Sequence, residues 1–234
     1  MGGADHPEVT RVLFVGNSFT YFHNLPALVA AFARPRAVSV GMAATGGAEL
    51  RGTWPTVRLD PPPDQVVLQE QSTLGNPPDG VPRVQPPERF HAAVRAAVAD
   101  IRRVGAEPVL YLTWARRDTP AAQDLLDAAY YGIGAELAVR VAPVGPAWRQ
   151  ALTERPDVVL HDEDDSHPSA LGSYLAACVL YATLFRADPR GVSARVVGQA
   201  IDSEGDLGAP DAVLVDIDPD TAAFLQDIAW RVTQ

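Results

Sequence analysis

Two short stretches of this chain carry residues able to do covalent chemistry. The first is Val12–Thr20, "VLFVGNSFT", an apolar run that stops at Gly16, Asn17 and Ser18. The second is His161–Gly172, "HDEDDSHPSALG", with four acids and two histidines ahead of an apolar segment. A serine hydroxyl becomes a useful nucleophile when an adjacent base takes its proton. Histidine does this near neutral pH, and a carboxylate on its other ring nitrogen fixes the tautomer and stabilises the imidazolium. Asp164 lies three residues before His167. On a turn leading into a helix, that spacing lets the carboxylate fold back onto Nδ1. Pro168 suits the first helical position, which would put His167 at the helix start. Plainer readings exist: a β-turn at Gly16–Ser18, and a solvated acidic loop at 162–165. His161, Asp162, Asp164 and His167 also form a candidate metal-ligand set, although their spacing matches no specific metal motif.

Two more stretches can supply hydrogen-bond donors. Ala44–Glu49, "ATGGAE", has a glycine pair able to make a tight turn with an exposed backbone N–H. Val66–Thr73, "VVLQEQST", ends an apolar run in Gln69, Glu70 and Gln71. Side-chain amides at the carboxyl end of a strand can donate to a developing oxyanion. Alone, the first stretch reads as an ordinary turn and the second as a polar strand end. Trp114 and Arg116 follow another apolar run, where a side chain can touch substrate, and packing is the equal reading for Trp114. Cys178 falls on an apolar helix face and reads as core, and Tyr130–Tyr131 reads as helix packing.

The elements that must position these residues alternate. Strands are predicted at Arg11–Val15, Ala37–Met42, Asp64–Gln69, Pro108–Thr113 and Arg140–Val144. Helices are predicted at Leu25–Ala33 with Asn24 as N-cap, and at Pro86–Val104, where Phe90, Val94, Val98 and Ile101 recur at helical spacing. Further helices are predicted at Ala121–Leu137, Pro146–Thr153, Pro168–Phe185 and Pro219–Val232. Strands alternating with helices argue for a parallel sheet covered on both faces. Such sheets gather their sites at the carboxyl ends of the strands, so Ser18, Gln69 and Trp114 should open onto one edge. Residues 74–87, proline-rich, and 187–217, polar with one candidate strand at Ala212–Val215, read as loop embellishments of a single domain spanning 1–234.

Composition narrows the function classes. A chain of 234 residues with 47% hydrophobic content can build one sizeable core. A net charge of −10 argues against nucleic acid or an anionic membrane as partner. The single cysteine excludes an internal disulfide and a cysteine-based zinc site. No apolar run reaches the ~18 residues that span a bilayer, and no basic-then-apolar leader precedes the first strand. A cytoplasmic protein is the expectation.

In this order the four motifs resemble the SGNH (GDSL-type) esterases and deacetylases, over most of the chain from Val12 to about Phe185. "FVGNSFT" corresponds to the block carrying the nucleophile, which implies that role for Ser18. "TGGAE" corresponds to the block that gives a glycine N–H to the oxyanion hole and implies Gly47, with Gly46 as the alternative. "DDSH" corresponds to Asp-x-x-His and implies Asp164 and His167. The third block departs from the usual Gly-x-Asn-Asp. "LQEQS" is instead similar to branches, sugar-acetyl esterases among them, that use a glutamine. That implies Gln69 as oxyanion donor, with Gln71 as runner-up, beside the Ser18 and Gly47 N–H groups. The Gly-x-Ser-x-Gly elbow fits poorly, because Thr20 stands where its second glycine belongs.

The resemblance implies a three-layer α/β/α sandwich with a five-stranded parallel sheet ordered 2-1-3-4-5. It also implies a serine ester hydrolase that needs no metal or organic cofactor. The expected substrate is a small-molecule ester with a short acyl group such as acetyl, on a sugar or secondary metabolite. Two other classes stay open at this point. One is a non-catalytic ligand-binding protein on the same fold. The other is a metal-dependent hydrolase centred on His161–His167.

Overall fold

The computed structural model describes residues 9–234. Five strands form one parallel sheet: β1 (Thr10–Gly16), β2 (Val38–Ala44), β3 (Gln65–Leu68), β4 (Glu107–Leu112) and β5 (Arg140–Pro143). Their order is β2-β1-β3-β4-β5, as the family resemblance implied. Val12 faces Val40 on one side and Gln65 on the other, and Val67 faces Val109.

Strand residues alternate between two apolar layers. Val12, Phe14, Val67, Val109 and Tyr111 pack on one face. Val15, Val66, Leu68, Leu110 and Leu112 pack on the other. With both faces covered, the strands read as nearly unbroken apolar runs rather than alternating ones. The first face is covered by α2 (Leu25–Phe32), α6 (Val144–Glu154) and α7 (Ala170–Phe185), with α8 (Pro219–Val232) against α7. The second is covered by α4 (Glu88–Arg103) and α5 (Gln123–Leu137). α4 buries only the stripe of Phe90, Val94, Val98 and Ile101 with two alanines, as a helix with one solvent face should. α7 is apolar nearly all round because it lies beneath α8 and above the sheet.

Two short helices had no periodic signal to announce them: α1 (Ser18–Tyr21) directly after β1, and α3 (Leu50–Thr53) after β2. Each is about one turn, too short for a 3.6-residue pattern to repeat. A second departure concerns Pro168. α7 begins at Ala170 with Ser169 as its N-cap, whose Oγ accepts from the Gly172 N–H at 3.2 Å. Pro168 instead pairs with His161 in an isolated antiparallel bridge. His167 therefore sits in a loop ahead of the helix, not at its start. Ser169 wins because a hydroxyl can satisfy a free helical N–H and proline cannot.

Residues 74–87 carry no helix or strand. Within 187–217 the expected strand is present as β7 (Ala212–Asp216). It pairs antiparallel with β6 (Arg195–Gly198), which the sequence reading missed.

Candidate active site

The carboxyl edge of the sheet gathers the four motifs. β1 ends at Gly16, and a side chain there would collide with Gln69 Oε1 and Thr20 Oγ1. Glycine fits here because the Gln69 and Thr20 side chains occupy the space that a Cβ would need. Asn17 then caps α1, its Oδ1 accepting from the Phe19 N–H at 3.1 Å. Its Nδ2 donates to Ala48 O at 3.0 Å, tying this turn to the glycine loop. Ser18 opens α1, so its N–H has no carbonyl four residues back to bond.

Ser18 Oγ lies 2.8 Å from His167 Nε2. His167 Nδ1 lies 2.5 Å from Asp164 Oδ2. The other carboxylate oxygen accepts the backbone N–H groups of Ser166 and His167 at 3.0 and 2.8 Å. Burial pushes the Asp164 carboxyl up, but these hydrogen bonds outweigh it and hold it below the ordinary carboxylate value. The three residues form one hydrogen-bonded chain: hydroxyl, imidazole, anchored carboxylate. Such a chain can move a proton from the hydroxyl while keeping the imidazole in one tautomer.

Aromatic rings hold the imidazole in place. Phe22 stacks face-on against His167, with centroids 4.3 Å apart and planes 10° from parallel. Phe19 meets it edge-on at 5.5 Å. Behind Phe19, Trp114 and Trp148 continue the stack at 4.6 and 3.9 Å. Trp114 is 1% exposed and its indole N–H donates to Ser166 O at 3.0 Å. That corrects the substrate-contact reading of Trp114: the side chain braces the histidine loop from inside the core.

His161 and Asp162 stand apart from this chain. His161 is buried, accepts from the Trp148 indole at Nδ1 (3.4 Å) and meets Ala115 O at Nε2 (3.0 Å). An acceptor at Nδ1 and a carbonyl at Nε2 fix the neutral Nε2–H tautomer. Burial pushes its pKa down in the same sense. Both nitrogens are occupied, so the His161–His167 stretch does not converge as metal ligands. Among the described residues no cluster of three or more His, Cys, Asp or Glu is placed to hold a metal ion. Arg117 clamps the same loop, pairing with Asp165 at 3.0 Å and donating to His161 O at 3.1 Å.

In the glycine loop, Ala48 N–H closes a turn onto Thr45 O at 3.1 Å. Gly47 takes φ +67° in this turn, a left-handed value that favours glycine. The turn bond leaves the Gly46 and Gly47 N–H groups outside it, and Gly47 is exposed.

Gln69 departs from expectation. It is completely buried. Its Oε1 accepts from the Asn17 N–H at 2.9 Å and from the Thr20 hydroxyl at 2.8 Å. Its Nε2 donates to Asn17 Oδ1 at 3.0 Å and to Glu70 O. Both amide hydrogens are used, so Gln69 holds the Asn17–Ser18 turn instead of offering a donor to the cleft. The cause is local: Gly16 leaves a gap, and the side chain fills it. Gln71 keeps capacity. Its Oε1 accepts from Thr73 N–H and hydroxyl at 2.6 and 2.7 Å, while Nε2 makes only a 3.3 Å bond to Ser72 Oγ. One amide hydrogen is left.

Glu70 was given no role in the sequence reading. It is buried, and its Oε1 accepts from Leu50 N–H at 3.0 Å and Gln71 N–H at 2.6 Å. It therefore ties the end of β3 to the segment following the glycine loop. Burial pushes its carboxyl up to about 7 against the pull of those two hydrogen bonds. The signal for it was an acid set between two glutamines directly after a buried strand. Phe22 was missed as well. The aromatic pair Tyr21–Phe22 shortly after the serine was its only trace.

No protein-family model and no curated protein matches the sequence. Solved structures resemble it in fold. A lipase/acylhydrolase from Enterococcus faecalis superposes with TM-score 0.60 at 15% identity, covering 77% of this chain and 98% of that one. A DUF4886 family protein from Bacteroides uniformis gives 0.58 at 16% identity, over 96% of this chain and 95% of that one. An acetylxylan esterase from Geobacillus stearothermophilus, as a catalytic mutant, gives 0.57 at 14% identity, over 76% and 93%. With the sheet order and the convergence of the four motifs on one edge, these matches establish that this chain has the fold of the SGNH (GDSL-type) hydrolases.

Proposed function

We propose that this protein hydrolyses a small-molecule carboxylic ester through an acyl-enzyme on Ser18. The observation that carries the reading is the chain Ser18 Oγ–His167 Nε2 (2.8 Å) and His167 Nδ1–Asp164 Oδ2 (2.5 Å). Ser18 Oγ attacks the ester carbonyl while His167 takes its proton. Asp164 holds the imidazole and stabilises its charged form. The Ser18 and Gly47 N–H groups stabilise the oxyanion, and the spare Gln71 amide hydrogen is the candidate third donor. The C–O bond then breaks, His167 protonates the departing alcohol, and water attacks the acyl-enzyme by the same route. These steps call on no cofactor. A short acyl group such as acetyl, on a sugar or secondary metabolite, is the substrate class. The likeness in fold to an acetylxylan esterase supports it.

Hydrolysis of p-nitrophenyl acetate tests the reading. Ser18→Ala and His167→Ala should each bring kcat to near background. The double variant should be little worse, because the two act as a unit. Asp164→Ala should cost less than either. The commitment of the Gln69 amide to Asn17 favours one other reading, a ligand-binding protein with a weakened oxyanion hole. Turnover indistinguishable between wild type and Ser18→Ala would transfer the conclusion to it.

A further inference from the structure

A donor to an oxyanion must point one way before the charge develops. Glycine is the residue least able to hold a direction by itself. Gly47 is exposed, takes φ +67°, and a side chain added to it would meet nothing within 4 Å. Packing therefore does not restrain it, and hydrogen bonds must. Ala48 N–H donates to Thr45 O at 3.1 Å, and Ala48 O accepts from Asn17 Nδ2 at 3.0 Å. The Gly47 carbonyl accepts from Asn76 Nδ2 at 3.3 Å. The peptide joining Gly47 to Ala48 is thus bonded at both its N–H and its C=O. Fixing that plane removes the rocking motion that would carry the Gly47 N–H with it.

Asn76 reaches Gly47 from the far side of the sheet edge, on a sharply bent turn after β3. Leu74 N–H closes this turn onto Gln71 O at 2.8 Å. Leu74 itself takes φ +61°, and Gly75 takes φ +134°. A left-handed backbone is costly for a residue with a β-carbon. It persists at Leu74 because the side chain is buried in the apolar layer shared with β3 and α4. Backbone outliers of this kind gather at functional sites. Past the bend, Asn76 N–H donates to Glu49 Oε1 at 2.9 Å. Burial pushes the Glu49 carboxyl up, but hydrogen bonds from Arg51 and Asn76 outweigh it and hold it below the ordinary value. Glu49 thus offers a charged acceptor two residues after Gly47, and it anchors the Asn76 backbone beside the glycine loop.

The geometry points to Asn76 as a positioning residue that keeps the Gly47 N–H aimed at the oxyanion. The inference rests on the serine-esterase reading, in which that N–H is a donor. The carbonyl and the N–H of Gly47 belong to successive peptides. Asn76 therefore braces the loop through the carbonyl and leaves the N–H free. Among the described residues its side chain bonds only Gly47 O, so it acts through that glycine and not on Ser18 or His167. A tie that served stability alone is a poor fit. Asn76 is exposed, and its backbone is already held by Glu49, so the side chain adds little to the fold. The turn also begins at Gln71, the candidate third donor, and ends on Gly47. The spacing of two oxyanion donors is thereby set by residues 71–76.

The test uses the full chain, p-nitrophenyl acetate, and the variants Asn76→Ala and Asn76→Asp. Both keep the backbone N–H to Glu49. Alanine removes the side-chain amide, and aspartate keeps its shape but cannot donate to a carbonyl. Each should lower kcat by about tenfold, less than the about 10²–10³ of a donor lost outright. KM should stay close to wild type, because the oxyanion exists only after the substrate has bound, and Tm should be unchanged. Inhibition by trifluoroacetone reads the same hole without turnover. Its carbonyl carbon bonds Ser18 Oγ, the carbonyl electron pair moves to the oxygen, and His167 takes the serine proton. The inhibition constant should rise in step with the loss of kcat. A kcat within about twofold of wild type in both variants, with Ser18→Ala inactive, would overturn the role of Asn76 and leave the esterase reading standing. So would a loss confined to KM, or one that Asn76→Asp does not share. Ester turnover that Ser18→Ala leaves intact would instead sink the esterase reading, and the positioning role with it.

Discussion

At the scale of single residues, two neighbouring glutamines just past the end of β3 are bonded in different ways. Gln69 fills the space that Gly16 vacates and bonds the Asn17 N–H, the Asn17 amide and the Thr20 hydroxyl. Removing it leaves several buried groups unpaired, each costing about 1–3 kcal/mol. Gln69→Ala should therefore lower Tm clearly, and activity falls with the loss of the folded turn. Gln71 is half-buried and holds a free amide hydrogen. Gln71→Ala should leave Tm close to wild type and reduce kcat by about 10²–10³, the usual effect of one oxyanion donor. Thermal melts and steady-state kinetics on the pair decide it. A kcat loss in Gln69→Ala without a Tm loss would reverse the division.

At the scale of elements, regular structure was readable and irregular structure was not. α8 matches its expected bounds, Pro219–Val232, because Asp218 caps it and Pro219 opens it. The five strands were visible as apolar runs, though their order came from family resemblance, since alternation alone does not fix which strand neighbours which. Ser18 stood out because it closes an apolar run at Gly-Asn-Ser, and Asp164 and His167 because a carboxylate and an imidazole sit three residues apart just ahead of an apolar helix. The residues that hold them did not. Phe19 and Phe22 act through ring geometry across α1 and the turn that follows it, and no sequence pattern marks a stack. Trp114 looked equally ready to line a cleft or fill a core, and only its position between Phe19 and Trp148 separates the two. Gln69 and Gln71 should share a face if the strand continued. β3 ends at Leu68, so the alternation rule expired one residue before it was needed.

At the scale of the whole molecule, the site couples stability to pH. Glu70 is buried with its carboxyl pushed up to about 7, and the like charge of Glu49 adds to the effect of burial while Arg51 opposes it. A carboxyl raised in the folded state binds its proton more tightly there than in the unfolded chain. Its contribution is present at pH below the ordinary glutamate value and is lost as pH rises towards about 7, a change on the order of 3 kcal/mol. Glu70→Gln keeps an oxygen that accepts from Leu50 and Gln71 but cannot ionise. Denaturant melts should find the two proteins similar near pH 4.5 and the variant more stable at pH 8. Parallel curves across that range would mean that Glu70 ionises without cost. The same carboxylate joins the end of β3 to the segment following the glycine loop, so Glu70→Gln should also widen the fold's alkaline tolerance.

The central claim is that Ser18 is a nucleophile activated by His167. Covalent labelling with a fluorophosphonate tests it most directly, because the reagent reacts with an activated serine whatever the natural ester is. Peptide mass spectrometry should find a single adduct on Ser18, absent from Ser18→Ala and strongly slowed in His167→Ala. An adduct on Ser72 or Ser166, or labelling of Ser18 that proceeds equally well without His167, would contradict the account.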